Sequence, residues 1–506
     1  MNFGGLMFLL ITQFLSGWGF LRMFKLKMQK IQELALSMIL GIALFSFIPF
    51  ILQLLYIHIT SGSVLISIVL LCIGINIPGL ITLFRNYGDI QFDLKKLLSS
   101  LKRPQLYEYP FILFFIYLCV ISAWVCFYFP VAARDMLSGP EAIAEYTVRE
   151  KTMLNSVFSV DLSTTNNHLK PPFVTCLQII YKLLVCPFGQ VWMSVLFISF
   201  ITWLYSILKE RLHPVLAGLV LLFFVTIPEL FGYSHIILFD YSNMLFFFCG
   251  FYFITKYVAD KQTGQFFLAS VFFVMATYTR LETLVLEAMI VPLLLYIFYK
   301  EKLPLAKIAF RITFFLLAPA FIYFIWMNVY VKYYMPVHFN LGEEINPKLT
   351  DIGPFFTRIA EMNTRVLFGN YGSQLFGDYL YIFGIFFLID IIFYRKYNYE
   401  TKIMLYGIVL VYFGLPLLGF LLPWFDLMNT TKRGFFKMFP LMLIYISNSG
   451  LLQTISGRIK KWEFASNDDV KKAQAKTPAP AYSRNMKAVT TNTAATTNSK
   501  NKKGKK

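Results

Sequence analysis

Thirteen stretches of this chain are apolar over the length of a membrane-crossing helix. They fall near residues 3–21, 33–57, 64–84, 109–129, 188–208, 215–233, 241–257, 266–280, 281–300, 312–333, 378–394, 403–425 and 437–455. A bilayer core needs about 20 such residues per helix. The rest of the chain does not balance them. Only 14% of residues are charged, against about 25% in soluble proteins, so a water-soluble fold would leave large apolar patches exposed. The expectation is an all-α polytopic membrane protein with about thirteen transmembrane helices. Its six cysteines (72, 119, 126, 176, 186 and 249) lie within apolar runs and read as small core side chains, without a disulfide framework or zinc site.

Basic residues in the short loops orient the spans. Arg22, Lys25, Lys27 and Lys30 follow the first run, and Arg85, Lys95, Lys96, Lys102 and Arg103 follow the third. Further basic groups lie at 209–211, 256–261, 300–311 and 395–402. Thirteen crossings place all of these loops on one side, read as cytoplasmic, with the C-terminus. No Ala-x-Ala site follows the first run, so it reads as a retained helix. From Gly457 to Lys506 there are 13 basic and 3 acidic residues, and segment 456–506 is expected to be a disordered basic cytoplasmic tail attracted to anionic headgroups. Its aromatic residues are only Trp462, Phe464 and Tyr482, too few to interleave thirteen basic residues in the manner of a nucleic-acid binder. No nucleic-acid partner is expected.

Two outer-face segments, 130–187 and 334–377, are too long and too apolar to be simple connectors. The first carries Arg134–Asp135 just beyond a span. Next comes PEAIAEYTVREKTML, an amphipathic pattern with Ala142, Tyr146, Met153 and Leu154 on one side. His168, Lys170, Pro171 and Pro172 then lead into a short apolar helix, 173–185, expected in the interface plane. Asp240 lies where the chain re-enters the membrane, costly unless paired or wetted, with a dipole-favoured helix-start charge as the plainer account. Arg280 and Glu282 occupy an outer turn, and Lys432, Arg433 and Lys437 precede the last span. Cations on the face that the basic bias disfavours suggest an anionic ligand such as a lipid phosphate. Snorkelling at a helix end is the alternative, strongest for Lys437. In the second segment Arg358 and Arg365, seven residues apart on PFFTRIAEMNTRVLF, would share one face of an interfacial helix.

Outer-face carboxylates and cations around an apolar chamber suit transfer of a sugar from a polyprenyl phosphate. The acceptor hydroxyl loses a proton to a carboxylate base as it attacks. The departing phosphate needs positive charge more than a proton. With base and leaving group on opposite faces of the sugar, inversion is expected.

These residues resemble the GT-C superfamily of polyprenyl-phosphate-sugar-dependent transferases, in the branch of the protein O-mannosyltransferases and lipid A aminoarabinose transferases. The parallels are Asp135 or Glu141, the element His168-Leu-Lys170-Pro171-Pro172-Phe173, Asp240, Arg280 and Lys432-Arg433. They run in the family's order over roughly residues 108–455. The resemblance implies a GT-C-like catalytic domain over 108–455, after a three-span extension and cytoplasmic loop over 1–107. It implies Asp135 as general base with Glu141 as rival and Glu145 third. Lys170 and Arg433 would hold the donor phosphate with Arg280 and Lys432 in support. His168, Asp240, Glu282, Arg358 and Arg365 would position donor or acceptor. The family's Asp-Glu pair is not intact here, which leaves the base open.

The implied partners are a polyprenyl-phosphate sugar, a lipid, glycan or protein acceptor, and the bilayer. No cofactor is required, and Asp135 with Asp240 is the one pair open to a divalent metal. The expected location is the plasma (inner) membrane, with the site on the periplasmic or extracellular face. A transporter or flippase of lipid-linked glycans is one competing class. It would show inverted repeats and mid-membrane charges. A polysaccharide polymerase or ligase is the other.

Overall fold

A computed structural model of the chain describes residues 2–85, 104–129, 131, 134–160, 169–186, 189–335, 345–347, 349–395, 397–423 and 425–476. His168, Glu343 and Glu344 lie outside the described residues. Every described regular element is helical. Among the described residues, seven helices are long and apolar enough to cross a membrane: Phe3–Met23, Lys30–Leu54, Leu106–Tyr128, Val191–Arg211, Thr283–Lys300, Leu305–Tyr334 and Tyr399–Leu421. A bent pair, Leu427–Ser447 with Gly450–Glu463, makes up to eight.

Helices also occupy the other apolar runs, but with breaks. A helix runs unbroken through Ser61–Arg85, whereas Phe173–Leu184, Pro214–Val225, Thr263–Thr279 and Tyr379–Tyr394 are 10–17 residues long. At about 1.5 Å per residue they fall short of a core about 30 Å thick. The breaks have local causes. Pro228 ends the run begun at Pro214 and starts Pro228–Tyr233 at its first position, where the missing N–H costs nothing. Arg280 takes an extended conformation (φ −150°, ψ 116°) after Thr279.

The chain divides into two compact units, Met1–Ser456 and Gly457–Lys506. In the first, the helix Phe239–Asp260 forms the centre, buried from Phe239 to Thr255. It is apolar on every side, as a helix enclosed by others must be. Its rings mesh with neighbours edge to face, for example Phe248 with Trp203 at 5.7 Å and Phe247 with Phe273 at 5.7 Å. At the N-terminus, Phe3–Met23 and Lys30–Phe45 approach through glycine. A Cβ on Gly17 would lie 1.8 Å from Ser37 O, and one on Gly41 1.8 Å from Gln13 O, the close backbone packing that small residues permit between membrane helices.

The polar loops gather at two ends. At one, Lys209 meets Glu108, Arg211 meets Glu400, Gln32 donates to Glu210 at 2.9 Å and Lys261 meets Glu301. These are the loops whose basic residues the sequence assigns to a single side. At the far end of Val191–Arg211, Gln190 donates to Phe129 O at 3.1 Å, beside the segment that carries Asp135.

Four sequence expectations change. The helix Phe173–Leu184 does not lie with one face free, because every residue from Phe173 to Tyr181 is buried by protein. The earlier helix Ala142–Glu150 buries Ile143, Ala144 and Thr147, while Tyr146 turns outward. The proposed boundary at 107 does not isolate the N-terminal helices either. Gln13 accepts from Tyr181 at 3.0 Å, Gln53 accepts from Met153 N at 2.7 Å, and Phe47 stacks on Tyr278 at 4.3 Å. Finally, the helix Gly450–Lys476 continues well past residue 456. Lys, Ala, Gln and Glu in that stretch favour helix.

Candidate functional site

Four separate elements bring charge to one place. Asp240 occupies the first turn of Phe239–Asp260 and is buried, where the helix dipole favours an anion. The break between Thr263–Thr279 and Thr283–Ala288 carries Arg280 and Glu282. Arg280, 1% exposed, pairs with both Asp240 and Glu282. The Lys170-Pro171-Pro172 element leads into Phe173–Leu184. Its Lys170 ammonium lies 5.1 Å from the centre of the Phe239 ring, a cation–π contact. From the late segment comes Lys437, buried at the end of the short turn Phe435–Lys437.

Asp135 and Arg433 extend this cluster. Arg433 Nη2 donates to Asp135 Oδ2 at 2.9 Å, and the guanidinium lies 5.6 Å over the Tyr233 ring. The Arg433 charge also acts on Asp240 and Lys170. Asp135, with its side chain 39% exposed, is the most accessible acid of the group. The whole set is four cations (Lys170, Arg280, Arg433 and Lys437) against three carboxylates (Asp135, Asp240 and Glu282).

The balance is uneven within the set. Arg280 is held between two acids, whereas Lys170 and Lys437 form no ion pair among the described residues. Asp240 Oδ2 is buried without a hydrogen-bond partner. Burial pushes the Lys170 ammonium down to about 8, and Arg280 adds to the effect against the pull of Asp240 and Glu282. Glu282 pairs with Arg280, and Lys170 and Lys437 add positive charge around it. Such an arrangement has capacity for one further anion next to Lys170 and Lys437. A crevice of about 10 Å³, lined by Pro172, Phe239, Trp326, Tyr330 and Met335, opens beside Lys170. That is room for roughly one water.

Glu141 belongs elsewhere. It pairs with Lys182 at 2.7 Å and accepts from Gln178 at 2.8 Å, and Lys182 also holds Glu145 at 2.9 Å. This network clamps Ala142–Glu150 onto Phe173–Leu184. Burial raises the Glu141 carboxyl above its usual range although Lys182 and Gln178 pull it down. Lys432 pairs with Glu229 at 2.8 Å, so its charge is met outside the cluster. Arg358 donates to Phe425 O and to Thr431 Oγ1. Arg365 is exposed. The expected shared face of these two arginines is lost because Met362–Leu367 is wound as a π-helix, which shifts the helical register.

The cluster therefore joins Asp135, Lys170, Asp240, Arg280, Glu282 and Arg433 from the sequence reading. It separates Glu141, Lys432, Arg358 and Arg365 from them. Lys437, for which the sequence left an anion-binding and a snorkelling account open, is buried beside the cluster. A cation inside FFKMFP, flanked on both sides by bulky apolar residues, was the available signal. Among the described residues no three His, Cys, Asp or Glu side chains assemble as a metal-ligand group. No protein-family model, curated protein or solved structure matches the chain.

Proposed function

We propose that the protein is a polytopic glycosyltransferase of GT-C type, moving a sugar from a polyprenyl phosphate to an acceptor hydroxyl. The observation that carries this reading is the buried cluster in which Lys170 and Lys437 have no ion-pair partner among the described residues, beside an accessible, arginine-held carboxylate. In the reaction, the acceptor oxygen bonds to the anomeric carbon as its proton passes to Asp135. The bond from that carbon to the phosphate oxygen breaks, and the electron pair leaves with the phosphate. Lys170 and Lys437 stabilise the phosphate charge, and Arg433 spans phosphate and base. Arg280 with Asp240 and Glu282 forms the fixed floor that keeps these cations in place. A protein-held environment of this kind favours charge developing in the transition state.

The reading includes thirteen crossings of the plasma membrane with the cluster on the outer face. The two-ended distribution of polar loops supports it. The helices too short to span alone would then cross in pairs or as thinned segments.

The test is turnover of defined polyprenyl-phosphate sugars by the purified, reconstituted chain. Asp135→Asn is expected to lower transfer by about 100-fold or more, with donor affinity and thermal unfolding unchanged. Wild-type turnover in that variant would sink the mechanism. Movement of intact donor across the bilayer without turnover would replace a transferase with a flippase.

A further inference from the structure

A second polar site adjoins the segment that presents Arg433. Asn346 and the helix Gly353–Glu361 pack against Tyr399–Leu421. Asn346 N donates to Leu421 O at 2.9 Å, and its side-chain amide donates to Phe420 O at 3.1 Å. Between them is a cleft of about 600 Å³, lined by Asp351, Thr357, Arg358, Glu361, Gly419 and Phe420 among others. That volume lies within the range of about 300–1,000 Å³ typical of small-molecule sites.

The cleft is built around Arg358. A Cβ on Gly419 would lie 2.2 Å from the guanidinium, so only glycine leaves the space the arginine fills. The guanidinium donates to Phe425 O and to Thr431 Oγ1, and Arg358 Nε is buried without a partner among the described residues. Thr431 in turn donates to Asp426 O at 3.0 Å. Arg358 thus ties the cleft wall to the turn that leads, two residues later, to Arg433 and through it to Asp135.

Its charge is opposite to that of the cluster. Among the described residues, Asp351 and Glu361 line the cleft with a single arginine, which is already engaged, and Asp426 acts on the same guanidinium. Acid pairs accept hydrogen bonds from adjacent hydroxyls or from an ammonium, and they repel phosphate. Phe420 and Pro354 supply an apolar surface for a sugar ring.

We propose that this cleft binds the acceptor, and that the acceptor is a neutral or amino-bearing glycan and not a phosphorylated one. The assignment of the bound glycan as acceptor rests on the transferase reading; the glycan site itself does not. The experiment uses full-length protein in nanodiscs, probed on an array of neutral, amino-substituted and phosphorylated oligosaccharides. Binding is expected on neutral and amino glycans only. The double variant Asp351→Asn/Glu361→Gln should weaken it by about tenfold or more, as expected for losing a charge-assisted hydrogen bond. Preference for phosphorylated glycans, binding unaltered in the double variant, or no glycan bound would each overturn the proposal. Stabilisation by polyprenyl phosphate is measured in parallel and should survive the double variant. If glycans bind as expected but no polyprenyl phosphate binds, the cleft stands and the transferase reading falls.

Discussion

A buried ammonium is a sensitive reporter of its surroundings, and Lys170 faces a defined set of charges: Arg280 and Arg433 against Asp240 and Glu282. Its folded pKa of about 8 lies below the ordinary lysine value near 10.4. Between these values the unfolded chain holds the proton and the folded one does not, so this group's share of stability rises with pH. Anion affinity moves the other way. As pH climbs through about 8, Lys170 loses its charge, and affinity for polyprenyl phosphate is expected to fall. Lys170→Arg retains its charge and should keep that affinity on the alkaline side. Titration calorimetry at several pH values reads the outcome directly. A wild-type affinity that stays flat while Lys170 deprotonates would remove the lysine from the anion site. The individual residues were legible in the sequence because charges at membrane edges are costly enough to stand out. Their pairings were not. Lys432 and Arg433 are neighbours in the chain, yet one meets Glu229 and the other Asp135, since successive helical positions point about 100° apart.

At the scale of elements, the helix Phe173–Leu184 separates the two acids that the sequence left as rivals. It is buried, and Lys182 projects from it to fasten Glu141 and Glu145. Glu141 is therefore a structural tie between two helices and lies in a different network from Lys170 and Arg433. Glu141→Gln is expected to leave transfer within about tenfold of wild type. Lys182→Met removes the common partner of two acids and should loosen Ala142–Glu150, read as faster amide exchange over 142–150. Loss of transfer in Glu141→Gln with unchanged exchange would hand the role of base to Glu141. Periodicity misplaced both elements for one reason. Hydrophobic pattern reports which side chains avoid water, and it does not distinguish a neighbour made of lipid from one made of protein.

For the whole molecule, the N-terminal helices are part of the same compact unit as the cluster. Gln13 reaches Tyr181, and Phe47 and Phe50 pack on Tyr278, two residues before Arg280. Deleting residues 1–57 would strip these contacts and leave buried polar groups without partners. The truncated chain is expected to aggregate, seen as loss of the monodisperse peak in detergent gel filtration. A well-behaved, donor-binding truncation would restore the division at 107. Length and spacing of the apolar runs were enough to announce an all-helical chain with several helices able to cross a membrane, because transfer of apolar groups from water acts residue by residue. Which acid stands beside which cation depended on contacts between segments up to 298 positions apart. Those contacts exist only once the helices have packed, and no local pattern in the chain encodes them.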